Sequence, residues 1–202
     1  MPNLIPVGEK QLQWGTQLVE LRDSNDLLRD GDALRDRFEQ DGYLLVRGLH
    51  DREAVLAARR RIFEYLRDEG GAIPSDTDVM EGVIAPDGKM PKTMGHKPIT
   101  HTPEVRAVLE GKPIFEFFET LFGETPRTFD YKWLRAVGEG TFTGAHYDVV
   151  YMGRGSKRLH TCWTPIGDIP IEQGTLCVCV GSHNLPGFQK VKPNVFAGLF
   201  PV

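Results

Sequence analysis

His146 and Asp148 are the residues of this 202-residue chain whose types and spacing most directly suggest chemistry. They sit in the stretch Gly140-Thr141-Phe142-Thr143-Gly144-Ala145-His146-Tyr147-Asp148-Val149-Val150-Tyr151. An imidazole and a carboxylate two residues apart leave the same face of an extended chain. Such a pair can hold two adjacent corners of a metal's coordination sphere. Two histidines and one carboxylate on one face, with open positions opposite, make a non-haem Fe(II) oxygenase site. A His-x-Asp triplet alone is weak, because it arises often by chance. Its weight depends on the elements that position it.

Composition limits the alternatives. The chain carries 24 Lys and Arg against 28 Asp and Glu, a net charge of −4, with the basic residues scattered. That argues against a nucleic-acid footprint. The one dense basic run, Arg59-Arg60-Arg61, falls in a helical pattern and reads as a solvated face. At 40% hydrophobic and 26% charged residues the chain is ordinary for a globular domain, and long enough to bury a core without staples. No stretch reaches the ~18 apolar residues of a membrane span, and the N-terminus has no signal-peptide pattern. Cys162, Cys177 and Cys179 are an odd set without framework spacing, which points to reduced thiols and a cytoplasmic protein. Cys177 and Cys179 lie in an apolar run and are expected to be buried strand thiols.

The elements separate into two halves. Residues 1–25 show no period and read as an irregular leader. Residues 26–202 read as one domain, with helical support and a lid loop over 26–125 and strands over 126–202. Asp26 to Gln40 reads as one or two short helices broken near Gly31, and Tyr43 to Arg47 as a strand after the turn at Asp41-Gly42. Asp51 to Asp68 is the best helix. Asp51 is its N-cap, Val55, Ala58, Ile62 and Leu66 form its apolar stripe, and Gly70-Gly71 stops it. A long connection over 70–101 holds Lys92, His96 and His101 and has the length of a lid or binding loop. Thr102-Pro103 and Pro113 open two more helices, the second stopped by Gly123. Beyond Pro126, residues 127–137, 145–151, 159–165 and 174–180 are strand candidates. Glycine-containing turns separate them, at 138–140, 153–156 and 167–170, with another at 181–182. Short strands at this spacing indicate a sandwich or barrel.

The residues in order resemble the phytanoyl-CoA dioxygenase family of Fe(II)- and 2-oxoglutarate-dependent oxygenases. The resemblance rests on His146-Tyr147-Asp148, then Trp163 on the next strand candidate, Gly174-Thr175-Leu176, and Gly181-Ser182-His183. Upstream, Gly95-His96 with His101-Thr102-Pro103, and Gly42-Tyr43-Leu44-Leu45-Val46-Arg47-Gly48, resemble the family's opening segments. It covers about residues 27–195 and speaks for the family, not for a substrate.

The resemblance implies an α+β fold, a cupin-like jelly roll (double-stranded β-helix) carrying N-terminal helices. It implies Fe(II), 2-oxoglutarate and O2, with hydroxylation of a small molecule and release of succinate and CO2. His146 and Asp148 look like two of three iron ligands, and Trp163 like the tryptophan beside the 2-oxoglutarate. Tyr131 matches by position a residue contacting that cosubstrate. Lys92 lies next to the position of the family's cosubstrate lysine, which an ungapped match gives to Thr93. The family's distal iron-binding histidine and its carboxylate-anchoring arginine lie beyond Gly-Ser-His and have no candidate before Val202. The expectation is therefore a C-terminally incomplete jelly roll lacking its last strands. His160 and His183 are poor substitutes for the third ligand. His183 is expected to order the turn at Gly181-Ser182.

Three functions follow as expectations. The first is a 2-oxoglutarate-dependent hydroxylase. The second is a truncated, non-catalytic relative that binds a ligand or metal weakly. The third is a non-redox cupin-like metal enzyme or ligand-binding jelly roll. The expected partner is a small-molecule substrate, with neither nucleic acid nor membrane.

Overall fold

The computed structural model describes residues 4–137, 143–148, 152, 156 and 158–186. The expected turns at 138–140 and 153–156 lie wholly or largely outside these residues, as do Thr141, Phe142 and Val149-Val150-Tyr151. Among these residues the regular structure comprises two strands, five α-helices and four short 3-10 turns.

The leader is not irregular. Strands β1 (Leu4–Val7) and β2 (Lys10–Gln13) form an antiparallel hairpin, with Leu4 opposite Gln13 and Val7 opposite Lys10. Gly8 in the two-residue connection has φ +59°, the left-handed conformation that tight hairpin turns require. The hairpin escaped notice because Pro6 interrupts the apolar pattern.

Helix α1 (Gly31–Asp41) starts where a break was expected, because Asp30 caps it by accepting a hydrogen bond from the Ala33 amide. Tyr43 to Arg47 is not a strand. Leu45 forms one isolated bridge to Asp23, and Arg47 pairs with the Asn25 side chain, whose amide copies a backbone pair at 2.7 and 2.8 Å. The partner segment turns into a 3-10 helix at Asn25–Leu27, so no ladder propagates.

Helix α2 (Arg52–Gly70) follows its sequence signals closely. Asp51 accepts from the Ala54 amide at 2.9 Å, and Gly71 ends the helix in the left-handed region. Ala58, Ile62, Tyr65 and Leu66 are its buried stripe. It packs chiefly against α4 (Pro103–Leu109), which contributes Val105 and Val108, while α3 (Lys97–Thr100) adds Ile99. Each such aliphatic side chain contributes roughly 1.5–3 kcal/mol when fully buried. Helix α5 (Lys112–Phe122) ends at Gly123 and packs on α1. Arg35 of α1 donates to the Leu121 carbonyl at 2.8 Å, closing the end of α5. No described helix is long and apolar enough to cross a membrane.

The second half departs most from expectation. None of the described residues beyond 126 belongs to a strand, so the jelly roll is not formed among them. Residues 127–137 are extended, but their backbone groups bond to a loop instead of a neighbouring strand. The Gly95 amide donates to the Lys132 carbonyl at 2.9 Å, and the Thr93 hydroxyl to the Leu134 carbonyl at 2.9 Å. At the second of these candidate strands, 145–151, the Met152 amide donates to the Asp148 carbonyl at 3.2 Å, a helical-turn bond. Cys177 and Cys179 are exposed, not buried, because the run that carries them has no sheet to enter.

Candidate functional site

The alternation of residues 127–137 organises the site. Lys132 is buried, and Leu134 and Ala136 pack against the helical core. Phe129, Tyr131, Trp133 and Val137 alternate with them and face outward. The segment is fastened to the helices by charge as well as by backbone bonds. Lys132 Nζ lies 2.8 Å from Glu110 Oε1 at the end of α4, and donates to the Thr128 hydroxyl at 3.1 Å and to the Phe129 carbonyl. Arg106 completes the pair, its Nη2 2.7 Å from Glu110 Oε2. The Lys132 hydrogen bond is the main reason the Glu110 carboxyl is held below its ordinary range; Arg106 adds to it, and burial opposes.

A second clamp lies one alternation earlier. Asp130 receives Lys97 Nζ at 2.5 Å and His101 Nε2 at 2.9 Å. These two partners, Lys97 first, bring the Asp130 carboxyl down to about 2. His101 is held at its other ring nitrogen by the Thr100 hydroxyl at 2.9 Å. His101 therefore orients the extended segment. Asp130, Lys132 and Glu110 were not singled out from the sequence. The signal available was parity: Asp130, Lys132, Leu134 and Ala136 share one side of an extended chain.

The loop over 92–96 is fixed on two sides. The Tyr65 hydroxyl of α2 donates to the Lys92 carbonyl at 2.8 Å, and the Tyr65 and His96 rings are 5.9 Å apart. The Lys92 side chain is exposed, whereas Thr93 is buried with its hydroxyl committed to Leu134. Gly95 has φ +64°, and a Cβ there would come within 2.1 Å of the Tyr131 ring, so only glycine lets this ring lie on the loop. Tyr131 in turn meets Trp133 edge to face at 6.3 Å.

The His-x-Asp pair converges as expected, although not on a strand. His146 Nε2 lies 3.4 Å from Asp148 Oδ1. His146 Nδ1–H donates to the Gly144 carbonyl at 2.8 Å, which orients the ring and leaves Nε2 as the atom that faces the carboxylate. Nε2 is then the ring atom whose lone pair a metal would take. A first-row divalent ion would be held by His146 Nε2 and an Asp148 oxygen, whose 3.4 Å separation two metal–ligand bonds can span. The donor set thus fits two corners of a metal site. Among the described residues no group of three His, Cys, Asp or Glu is placed to hold a metal. Arg135 joins this stretch to the outward face of 127–137, donating to the Thr143 hydroxyl at 2.6 Å.

The remaining sequence candidates are dispersed. Trp163 is half exposed. His160 lies between the Phe38 and Phe122 rings, at 4.8 and 5.0 Å, as a packing residue. His183 orders its turn against α1: Nε2–H donates to the Glu39 carbonyl at 2.8 Å, and the Gly181 amide to the Asp41 carbonyl at 2.9 Å. A Cβ on Gly42 would meet the His183 ring at 2.5 Å, which ties the early Gly-Tyr segment to the late Gly-Ser-His. His183→Ala is expected to cost about 1 kcal/mol, a Tm loss of about 2–4 °C, with metal affinity unchanged. Loss of metal affinity in that variant would assign His183 to the metal instead. Arg59 is not purely solvated: it donates to the Ile166 carbonyl at 3.2 Å and stacks on Phe63 at 4.5 Å.

Comparison with known proteins defines the class. The phytanoyl-CoA dioxygenase (PhyH) family matches residues 38–195, and the chain belongs to that family. Among curated proteins it is similar to 1-deoxypentalenic acid 11-beta-hydroxylase of Streptomyces arenae, at 29% identity over 170 residues covering 80% of this chain and 57% of that protein. The enzyme of the same name from Streptomyces exfoliatus is 30% identical over 174 residues, covering 82% of this chain and 59% of that protein. The chain thus spans less than two thirds of the length of these relatives. No solved structure matches it significantly. Family and relatives together support an oxygenase of the Fe(II) and 2-oxoglutarate type in general.

Proposed function

We propose that this protein is an Fe(II)- and 2-oxoglutarate-dependent dioxygenase that hydroxylates a small molecule, with His146 and Asp148 as two of the metal ligands. The observation that carries this reading is the 3.4 Å approach of His146 Nε2 to Asp148 Oδ1, with Nδ1 already committed to Gly144. When bound, Fe(II) with 2-oxoglutarate supplies the oxidising chemistry: substrate, 2-oxoglutarate and O2 become hydroxylated product, succinate and CO2. A metal would take the Nε2 lone pair, for which protons compete, so metal affinity falls as pH falls. Asp148 supplies the negative charge, the Gly144 carbonyl fixes the tautomer, and Tyr131 lies on a glycine-bedded ring platform where a cosubstrate or substrate can rest. Trp163 and Lys92 are the further cosubstrate candidates from the resemblance. A cytoplasmic setting suits Fe(II) and the three free thiols, Cys162, Cys177 and Cys179.

A second reading is a family member that binds metal or ligand without turnover. One experiment separates the two. Anaerobic Fe(II) titration followed by admission of O2 with 2-oxoglutarate, and with ascorbate as the two-electron reductant in place of substrate, is expected to give saturable metal binding and Fe(II)-dependent succinate. Metal binding without succinate establishes the non-catalytic reading. No metal binding removes the ligand assignment altogether.

A further inference from the structure

A chain of contacts runs from the helical core to the His146 ring, and Arg135 is its middle link. The segment that carries Arg135 is fixed just before it. The Gly95 amide bonds to the Lys132 carbonyl, the Thr93 hydroxyl bonds to the Leu134 carbonyl at 2.9 Å, and Lys132 pairs with Glu110. Arg135 therefore leaves a held stretch of backbone, on the side opposite Leu134 and Ala136. Its Nη1 donates to the Thr143 hydroxyl at 2.6 Å. Thr143 is joined to Gly144, whose carbonyl accepts from His146 Nδ1 at 2.8 Å. Residues 143–146 are exposed, so packing contributes little to holding them, and glycine has the widest backbone freedom of any residue. A carbonyl in such a place orients a ring only if the backbone beside it is held.

We infer that Arg135 is a positioning residue for the metal pair: through Thr143 it holds the Gly144 carbonyl, and so keeps His146 Nε2 turned toward Asp148. The inference rests on the reading of His146 and Asp148 as metal ligands. The planar guanidinium suits the task, because it aims its N–H groups along fixed lines and loses less freedom per hydrogen bond than a lysine does. The role is mechanical and not electrostatic. A positive charge repels a divalent ion, so the charge of Arg135 by itself works against metal binding. What favours binding is the hydrogen bond to Thr143, which limits the ring orientations that a metal would otherwise have to select.

The test is a mutant cycle read by titration of the full chain with Co(II), so its result does not depend on turnover. Thr143→Val removes the acceptor and leaves the charge of Arg135 in place. It should weaken Co(II) binding by about threefold to tenfold, less than the roughly 10–100-fold for loss of a direct partner of a ligand. Its Tm should stay within about 1 °C of the parent, because the bond is exposed. Thr143→Ser keeps the hydroxyl and should bind within about twofold of the parent. Arg135→Met removes the bond and the repulsive charge together, and in that background Thr143→Val should cost nothing further. Parent-like affinity in Thr143→Val overturns the inference. So does an equal cost of Thr143→Val in both backgrounds, a Thr143→Ser variant as weak as Thr143→Val, or a loss of Tm that parallels the loss of affinity. A parent that binds no Co(II), or an Asp148→Ala variant that binds it as tightly, defeats the ligand reading and this inference with it. That failure is recognisable because it arises in proteins whose Arg135 and Thr143 are intact.

Discussion

Asp148→Ala is expected to abolish Fe(II)-dependent succinate formation and to weaken Fe(II) binding by more than the roughly 10–100-fold that loss of an outer partner of a ligand costs. The reason is charge as well as geometry. His146 alone offers one neutral donor, and removing the carboxylate 3.4 Å away takes both the second donor and its negative charge. The fold should survive, since His146 keeps its bond to Gly144 and Asp148 is partly exposed. The measurement is anaerobic metal titration beside a thermal melt. Undiminished affinity at an unchanged Tm sinks the metal assignment. Asp148→Asn sharpens the result: it keeps the shape and one oxygen donor, and should bind metal between the alanine variant and the unaltered protein. At lower pH the affinity of the unaltered protein falls because protons compete for Nε2.

Lys132→Met carries the largest expected effect on stability, about 2–3 kcal/mol. The variant leaves the Glu110 carboxylate largely buried with Arg106 as its remaining partner, and it removes the bonds to Thr128 and Phe129. Replacing both members, as Lys132→Met with Glu110→Gln, should recover much of the loss, because no uncompensated charge stays behind. Urea unfolding of the two variants measures this. A single variant within about 0.5 kcal/mol of the parent refutes the clamp.

The same pair sets an acid limit. The folded Glu110 carboxyl titrates below its ordinary value of 4.5. Its contribution is present in full above that value and is lost as pH falls through the lower, folded value. Asp130, held at about 2 mainly by Lys97 and then by His101, acts in the same direction. Stability should therefore decline on acidification below about pH 4.5, and less steeply in Lys132→Met, whose Glu110 has lost its leading partner.

The parts legible in the sequence share a physical property: their cause is local. Asp51 and Gly71 mark α2 because caps act within one turn, and Ala58, Ile62 and Leu66 mark its buried face because helical period fixes which side chains share a stripe. His146 and Asp148 were legible as a pair because they stand two residues apart, and their side chains approach to 3.4 Å although no strand forms among the described residues there. The family could be recognised from an ordered set of such short pieces, and it is established over residues 38–195.

What only the tertiary structure decided depends on partners distant in the chain. Residues 127–137 look like a strand in sequence, yet they bond to the loop at Thr93 and Gly95 and to the end of α4. Strand propensity measures fit to a pleated, half-buried surface, and it does not name the surface. Cys177 and Cys179 were misjudged for this reason: apolar neighbours predict burial only where a sheet receives them. His183 meets Glu39 across 144 residues of chain, and Arg135 meets Thr143 eight residues on. The sequence by itself determined the main helices, the spacing that brings His146 and Asp148 together, and the family. The fold alone decided which charges are clamped and which ring faces turn outward, because each depends on through-space contacts that no local spacing encodes.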